Sequence, residues 1–320
     1  MHAGRPNGLA RKPVSLRIPV FSFWILFNLL ILVALALDLG ILNRRAHPVG
    51  LREALLWSAT WVSLAAVFAV VLFWWHGRTD ALQFVTGYVI EITLSIDNLF
   101  IFLVIFRYFK VPAEHQHKVL FWGVLGALVM RGLFIAAGVS LMRRFDWIIY
   151  AFGALLVYSG LKLLRQSEQQ IRPEKNPVLR VFRRLLPVTE QYEEGRFFTR
   201  KGALYATPLF VVLLIVETSD ILIAVDSVPA VLAVTLNAFI VYTSNVFAIL
   251  GLRSMYFALA GMMDRFHYLH YGLSVVLILI GLKMIASHYL TLPTEWTLAV
   301  VLAVLAVSVL ASQLAPRHTL

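Results

Sequence analysis

Apolar residues in this chain form long runs that short polar segments separate. A hydrocarbon core about 30 Å thick requires about 20 apolar residues per helix, and only helices or closed barrels satisfy every backbone polar group within it. The pattern therefore predicts an all-α, polytopic helical membrane protein with about nine transmembrane helices. The predicted helices cover residues 20–42, 53–76, 81–109, 118–141, 147–165, 202–233, 237–260, 267–287 and 296–314.

The composition agrees with that class, since 60% of the residues are hydrophobic and 14% are charged. The formal charge of +11 raises the question of a nucleic-acid partner, but the basic residues follow the loops. Eighteen of them lie on one side of the predicted bundle and seven on the other. Because an excess of basic residues marks the cytoplasmic side, we expect the N-terminus outside, the C-terminus in the cytoplasm and no nucleic-acid partner.

The polar segments predict how the chain is organised. The first apolar run is too long for a cleaved signal peptide, and the absence of cysteine excludes disulfides and thiolate metal sites. The basic connector, residues 166–201, is expected to be a solvated loop with a short amphipathic helix around Val178 to Leu186. The predicted parts are an N-terminal tail (1–19), two peripheral helices (20–76), a first three-helix repeat (81–165), the cytoplasmic connector (166–201), a second three-helix repeat (202–287), and a last helix with its tail (296–320).

Two acidic segments resemble each other. The stretch "FVTGYVIEITLSIDNLFIF" contains Glu91 and Asp97, and "FVVLLIVETSDILIAVDSVPAV" contains Asp220 and Asp226, with a spacing of six residues in both. The likeness continues in the following helices, where "ALVMRGLF" matches "ILGLRSMYF" and "YSGLKLL" matches "LIGLKMI". Each unit contains three helices. Because three is an odd number of crossings, the second unit starts on the opposite side of the membrane from the first. We therefore expect inverted repeats with a substrate site near the midplane between them.

Six acidic residues lie in the interior of the predicted spans, where one ionised carboxylate at a helix centre costs about 2.5 to 3.5 kcal/mol. Arg131 and Arg253 are expected to act as charge partners, but they neutralise only two of the five acids in the repeats. A divalent cation fits the remaining deficit of positive charge. For Asp38, pairing with an arginine as a simple packing contact stays open. The six residues are Asp38, Glu91, Asp97, Glu217, Asp220 and Asp226.

Polar side chains form a stripe on each acidic helix when residues are placed at about 100° intervals. The first stripe holds Glu91, Ser95 and Asn98, and the second holds Glu217, Asp220 and Ser227.

Asp97 and Asp226 lie about 100° away from these stripes if the helices are regular. Bringing all of these oxygens to one ion therefore favours broken or unwound helices. Pro229 supplies a reason in the second repeat, because it has no amide hydrogen for the carbonyl of Val225. That carbonyl is a further candidate ligand.

The chemistry of the candidate ligands limits which metal ions the site would bind. The candidate groups near the midplane carry carboxylate, amide, hydroxyl or carbonyl oxygens, which suit Mn²⁺, Mg²⁺ or Ca²⁺, whereas Zn²⁺ and Cu²⁺ favour histidine or cysteine. The pairs His115/His117 and His267/His270 lie at helix ends, where an entry site for the ion is an alternative to ordinary solvated histidines.

The segments "EITLSIDNLFIF" and "ETSDILIAVDSVPAV" closely resemble the two signature segments of the TerC family of bacterial integral membrane proteins, and within it the Alx-like branch. The resemblance extends over roughly residues 30–290. It implies a multi-pass protein of the bacterial inner membrane, linked to manganese export, metal homeostasis and tellurite resistance. It implies that the family's motif residues correspond to Glu91, Asp97, Asn98, Glu217, Asp220 and Asp226, with Asp38 as a further acid of interest.

The residues thus predict a transporter of a divalent cation, not an enzyme, with Asp97 and Asp226 as the primary ligands. The resemblance implies that the ion is Mn²⁺ and that it is exported, with protons as the expected exchange partner. No nucleotide-binding motif is present. The alternative is a non-transporting assembly or stress-response protein in which the acids hold a structural ion. A site for tellurite is disfavoured because buried acids outnumber buried arginines, and an intramembrane aspartyl protease is disfavoured because the acids follow the repeat.

Overall fold

The computed structural model describes residues 20–40, 50–165, 179–180, 186–189, 191–193, 195–201, 203–260, 268–289 and 292–314. Within these residues it contains nine α-helices and one two-stranded sheet. The helices are α1 (Val20–Gly40), α2 (Leu51–His76), α3 (Arg78–Tyr108), α4 (Ala113–Arg144), α5 (Ile148–Arg165), α6 (Pro208–Leu232), α7 (Ala238–Ala260), α8 (Leu269–Ala286) and α9 (Thr294–Leu314). The antiparallel strands are β1 (Phe198–Lys201) and β2 (Ala203–Ala206).

The predicted all-α membrane architecture is confirmed. In the described part of the chain, eight helices, α2 to α9, are long and apolar enough to cross a bilayer. The chain forms two compact units, Met1–Ala46 and His47–Leu320. The first unit contains α1, in which Phe27 and Ile31 are buried and the Asn28 amide donates a hydrogen bond to the Trp24 carbonyl at 2.8 Å. The second unit contains all the other helices and the hairpin.

The predicted start of the sixth helix at residue 202 is wrong. Residues 203–206 form β2, and the helix begins at Pro208. Proline suits the first turn of a helix because its fixed φ is helical and the missing amide hydrogen has no acceptor there. Thr207 precedes it in an extended conformation, and its buried hydroxyl donates to the Arg196 carbonyl at 2.6 Å. The apolar residues of "ALYA" therefore belong to a strand that leads into the membrane helix.

The prediction that the connector is a solvated loop is also wrong for its described C-terminal part. Tyr192 donates to the Phe109 carbonyl at 2.7 Å, and Lys118 donates to the Gly195 carbonyl at 2.7 Å. Burial raises the pKa of the Tyr192 phenol, which keeps this donor protonated. The connector is thus bound to the C-terminal end of α3 and to the N-terminal part of α4. Apart from Leu179 and Arg180, the predicted helix at 178–186 lies outside the described helical residues.

The docked connector fixes the relative direction of α3 and α6. It contacts the C-terminal end of α3 at Phe109, and the Phe198 ring of the hairpin lies 4.5 Å from the Phe210 ring in the first turn of α6. Helix α6 therefore begins at the end of the bundle where α3 finishes. The two acidic helices run in opposite directions across the membrane.

The third helices of the two predicted repeats, α5 and α8, pack closely through small residues. A Cβ added to Gly160 would lie 2.8 Å from the Ser274 carbonyl oxygen, and one added to Gly281 would lie 2.6 Å from the Gly153 carbonyl oxygen. In the alignment of the repeats Gly160 corresponds to Gly281 and Gly153 to Ser274, so the two contacts are equivalent. Equivalent contacts between antiparallel helices are what a two-fold axis in the membrane plane would produce. The inverted repeat itself stays a prediction.

Two apolar clusters fill the bundle and leave a polar layer between them. On α6, one cluster includes residues up to Val216 and the other begins at Val228. On α4, the first cluster ends at Ala127 and the second begins at Ile135. Arg131 and the acids of α6 lie in the interval, so the sequence of apolar and polar positions places the charged groups at mid-depth of the bundle.

Candidate cation site in the polar layer

Arg131 on α4 connects the two acidic helices. Its guanidinium forms an ion pair with Glu91 of α3, lies 3.7 Å from Asp220 Oδ1 of α6, and donates to Asn245 Oδ1 of α7 at 3.1 Å. The relative exposures of Glu91, Arg131 and Asp220 are 0%, 1% and 3%. Two carboxylates and one guanidinium carry a net charge of −1, which is costly to bury without a further cation. Arg131 thus contacts two of the predicted acids, and its role as their charge partner stays a prediction.

Three neutral polar side chains are fully buried on the two acidic helices, one of them about one turn and two of them about two turns from these charges. Among the described residues, the Ser95 hydroxyl, both polar atoms of the Asn98 amide and the Ser227 hydroxyl have no hydrogen-bond partner. Ser95 and Asn98 lie on the same stripe of α3 as Glu91, and Ser227 occupies the repeat position that corresponds to Asn98. A buried polar group without a partner costs about 1 to 3 kcal/mol. Such groups are candidate ligands for an ion.

The expected break in the acidic helices is wrong. Helix α3 is continuous from Arg78 to Tyr108, and α6 is continuous from Pro208 to Leu232 with Pro229 in its last turn. A proline so close to the C-terminal end costs only the hydrogen bond that the Val225 carbonyl would have accepted. The helix therefore tolerates Pro229 without unwinding, and the Val225 carbonyl keeps its capacity to bind a ligand.

Continuous helices separate Asp97 from Asp226. Glu91 and Asp220 lie at the same depth, since both contact Arg131, and each is followed six residues later by its aspartate. Six residues of helix span about 9 Å, and α3 and α6 run in opposite directions. The two aspartates therefore lie on opposite sides of the polar layer, about 18 Å apart along the helix axes. Both are half-buried, unlike Glu91 and Asp220.

Asp226 and Glu217 each contact a second helix. Ser159 of α5 donates to Asp226 Oδ1 at 2.6 Å. The Glu217 carboxylate lies against Gly126 of α4, where a Cβ atom would overlap with it. Glu217 is half-buried and lies three residues before Asp220, towards the start of α6. It is therefore on the same side of the polar layer as Asp97.

Arg253 has a different environment from its repeat partner Arg131. Its Nη2 lies 3.1 Å from Nδ1 of His117, at the N-terminal end of α4. A guanidinium only donates, so this nitrogen of His117 must accept. His115 instead faces Gly195 and the Tyr192 ring of the connector. The two histidines of the predicted entry pair thus have separate neighbours.

The described residues contain no group of three or more His, Asp or Glu side chains close enough to hold a metal ion. The predicted ligands are therefore arranged as a central pair with flanking acids, and not as a closed cage. His267 of the second histidine pair lies outside the described residues, and the side chain of Asp38 lies outside those whose surroundings are described.

Sequence reasoning missed two residues of the polar layer. Asn245 accepts from Arg131, and Ser159 donates to Asp226. The signal for Asn245 was the run "TSN" in the middle of an apolar helix, where three polar residues of α7 are buried. Ser159 has no such signal, because a single serine in a membrane helix commonly bonds to its own backbone.

Comparisons with known proteins identify relatives along most of the chain. Residues 76–320 match the model of the family described as "Integral membrane protein TerC family". The chain is 49% identical to "Uncharacterized membrane protein STKORF319" of Myxococcus xanthus over 298 residues, which cover 93% of each chain. It is 45% identical to "Putative membrane-bound redox modulator Alx" of Escherichia coli (strain K12) over 293 residues, which cover 88% of this chain and 91% of that one. No solved structure matches the chain.

Proposed function

The chain belongs to the TerC family of integral membrane proteins, and from that premise we propose that it transports a divalent metal cation, foremost Mn²⁺, out of the cytoplasm through the polar layer. The observation that carries the proposal is a series of fully buried, unpartnered polar groups along α3 and α6. Ser95 lies about one turn from Glu91, and Asn98 and Ser227 lie next in sequence to Asp97 and Asp226. They occupy the middle of a membrane-spanning bundle, where a structural role would favour satisfied groups. A transported cation would use these groups as ligands on its way through the bundle.

The chemistry of the layer favours a hard cation. At the centre, Glu91 and Asp220 supply charged oxygens and Ser95 supplies a neutral one; Asn98 and Ser227 supply neutral oxygens at the depths of Asp97 and Asp226. Oxygen ligands of this kind suit Mn²⁺, Ca²⁺ and Mg²⁺. The choice of Mn²⁺ among them rests on the resemblance to the family described above.

In this proposal the Arg131 guanidinium supplies the positive charge between the two central acids whenever no metal ion is bound there. This group lies between Glu91 and Asp220, where a metal ion would bridge the two carboxylates. An arriving divalent ion would displace it towards Asn245, to which it already donates. The metal ion would then replace the Arg131 guanidinium beside the two carboxylates. The carboxylates would therefore always have a positive partner in the apolar interior.

The flanking acids give the ion a path through the bundle. Asp97 and Glu217 lie on one side of the central pair and Asp226 lies on the other. We place Asp97 towards the cytoplasm, because α3 ends on the side that carries the basic connector. The ion would pass from Asp97 to the central pair and then to Asp226, while protons move the opposite way on the same carboxylates. Rocking of the two repeats about the α5–α8 contact would open each side in turn.

The alternative is that the same acids hold a structural ion in a protein that moves nothing. The name of the Escherichia coli relative describes redox modulation. Thiol–disulfide chemistry cannot perform such a role here, since the sequence contains no cysteine. An indirect effect through metal levels remains compatible with either alternative.

Reconstituted vesicles that enclose a Mn²⁺-sensitive dye test the proposal. We expect Mn²⁺ flux with the wild-type chain, a loss of about tenfold or more with Asp97→Asn or Asp226→Asn, and no loss with Asp146→Asn, an exposed acid in the turn before α5. Mn²⁺ binding without flux would favour the structural-ion alternative. Full flux in both aspartate variants would refute the proposed path.

A further inference from the structure

The hairpin of β1 and β2 presents two different faces. Its register pairs Phe198 with Ala206 and Arg200 with Leu204, so these residues share one face. Thr199 and Tyr205 form a pair on the opposite face. Phe198 and Leu204 are 41% and 53% exposed, and Arg200 is exposed as well. The outer face therefore combines two large apolar side chains with a basic one.

The hairpin lies at the boundary of the membrane. Its last residue, Ala206, is separated by one residue from Pro208, where the 25-residue apolar helix α6 begins. The contact between the Phe198 and Phe210 rings fixes the outer face beside the first turn of that helix. A face in this position meets the headgroup region that α6 has to cross.

The charges of the hairpin suit an anionic surface. The strands β1 and β2 contain two basic residues, Arg200 and Lys201, and no acidic one, and Arg196 lies two residues before β1. Aromatic and arginine side chains together are typical of the membrane interface, where the apolar part enters the acyl region and the guanidinium stays among the phosphates. Anionic headgroups attract such basic segments within a Debye length of the surface.

We propose that the outer face of this hairpin is a binding site for anionic phospholipid headgroups. Phe198 and Leu204 insert at the level of the glycerol backbone, and Arg200 binds the phosphates. The bound lipid holds the hairpin, and through it the start of α6, at a fixed depth. This inference does not depend on what the polar layer transports.

The absence of cysteine makes the test direct, because single cysteines introduced for spin labelling have no competitors. Labels are placed at Leu204→Cys on the outer face and at Thr199→Cys on the opposite face of the full chain. The chain is reconstituted in phosphatidylcholine vesicles with and without phosphatidylglycerol. Accessibility to oxygen, which partitions into lipid, is compared with accessibility to a water-soluble nickel chelate.

We expect the label at position 204 to be reached by oxygen and shielded from nickel, and the label at position 199 to show the reverse. Adding Arg200→Gln should raise nickel access at position 204 in vesicles with phosphatidylglycerol and leave it unchanged in vesicles without it. Equal nickel access at the two positions in both vesicles would overturn insertion. If nickel access at position 204 stays low and changes neither with phosphatidylglycerol nor with Arg200→Gln, the assignment of anionic headgroups is overturned. Native gel filtration of each variant confirms that it is folded.

Discussion

Glu91 and Asp220 occupy equivalent positions of the two acidic segments and contact the same guanidinium group, that of Arg131. The two acids lie on helices that run in opposite directions and belong to different predicted repeats. Because Arg131 of α4 contacts both acids, it joins the two repeats at their centre. The arrangement balances charge only in part. It also places a protein-bound cation where the proposed substrate would bind.

Replacing Arg131 by methionine should make stability depend strongly on Mn²⁺. Removing one partner of a buried ion pair costs about 3 to 5 kcal/mol, because the remaining charges stay buried. Mn²⁺ would replace the lost positive charge, so we expect it to raise the unfolding temperature of Arg131→Met more than that of the wild type. Thermal unfolding in detergent, with and without Mn²⁺, measures both effects.

Arg253→Met is the matched control, because Arg253 occupies the equivalent repeat position but contacts His117. It should respond to Mn²⁺ as the wild type does. An equal response in all three proteins would mean that the guanidinium of Arg131 does not occupy the ion position.

Replacing Asn98 by leucine should separate stability from binding. The Asn98 amide is fully buried without a partner, so an apolar side chain of similar size removes an unsatisfied group and should leave the empty protein as stable or more stable. Mn²⁺ affinity should fall by about 10- to 100-fold, as expected for the loss of a group that supports a metal site. Calorimetric titration and thermal unfolding of the purified protein give the two quantities.

Thr93→Val serves as the control on the same helix, since the Thr93 hydroxyl already donates to the Val89 carbonyl at 2.6 Å. It should leave Mn²⁺ affinity unchanged. If Asn98→Leu binds Mn²⁺ as tightly as the wild type, the amide is not part of the site.

A methyl group at position 126 should displace Glu217. A Cβ at Gly126 would overlap with the Glu217 carboxylate, and both groups lie on membrane-spanning helices with little room to separate. We expect Gly126→Ala to reduce Mn²⁺ flux while the protein stays folded, because the flexible end of Glu217 can move. In Gly132→Ala, on the same helix, the new Cβ would meet only the Tyr242 ring at an ordinary distance of 3.7 Å. Flux in this control should match the wild type, and equal flux in both variants would exclude Glu217 from the path.

The sequence predicted the helices and the polar stripes well, because both depend on local periodicity. Glu91, Ser95 and Asn98 share a stripe and are all fully buried, while Asp97 lies off it and is half-buried. Long apolar runs have one stable form in a bilayer, so most of their ends could be placed within a few residues. The start of α6, predicted at residue 202 and observed at Pro208, is the largest exception.

What the sequence could not supply was the set of partners across helices. The pairing of Arg253 with His117 depends on the packing of α7 against α4, which no spacing encodes. The hairpin at 198–206 was hidden because its apolar residues adjoin a membrane helix and extend its hydropathy. The broken helices were expected because one shared ion was assumed for Asp97 and Asp226. Continuous helices instead place these two residues at different depths.

The close contact of α5 with α8 should be sensitive to single methyl groups. In Gly281→Ala the new Cβ would lie 2.6 Å from the Gly153 carbonyl oxygen, which is backbone and cannot rotate away. We expect a loss of about 1 to 3 kcal/mol in the free energy of unfolding, typical of overpacking, and a larger loss of flux if the two repeats move about this contact. Gly160→Ala should behave alike, because its Cβ would meet the Ser274 carbonyl oxygen at 2.8 Å.

Gly251→Ala is the control, since its nearest neighbour would be the Trp61 Cβ at 3.7 Å. Chemical denaturation in mixed micelles and the vesicle flux assay measure the two effects, and wild-type stability in both α5–α8 variants would contradict the packing described.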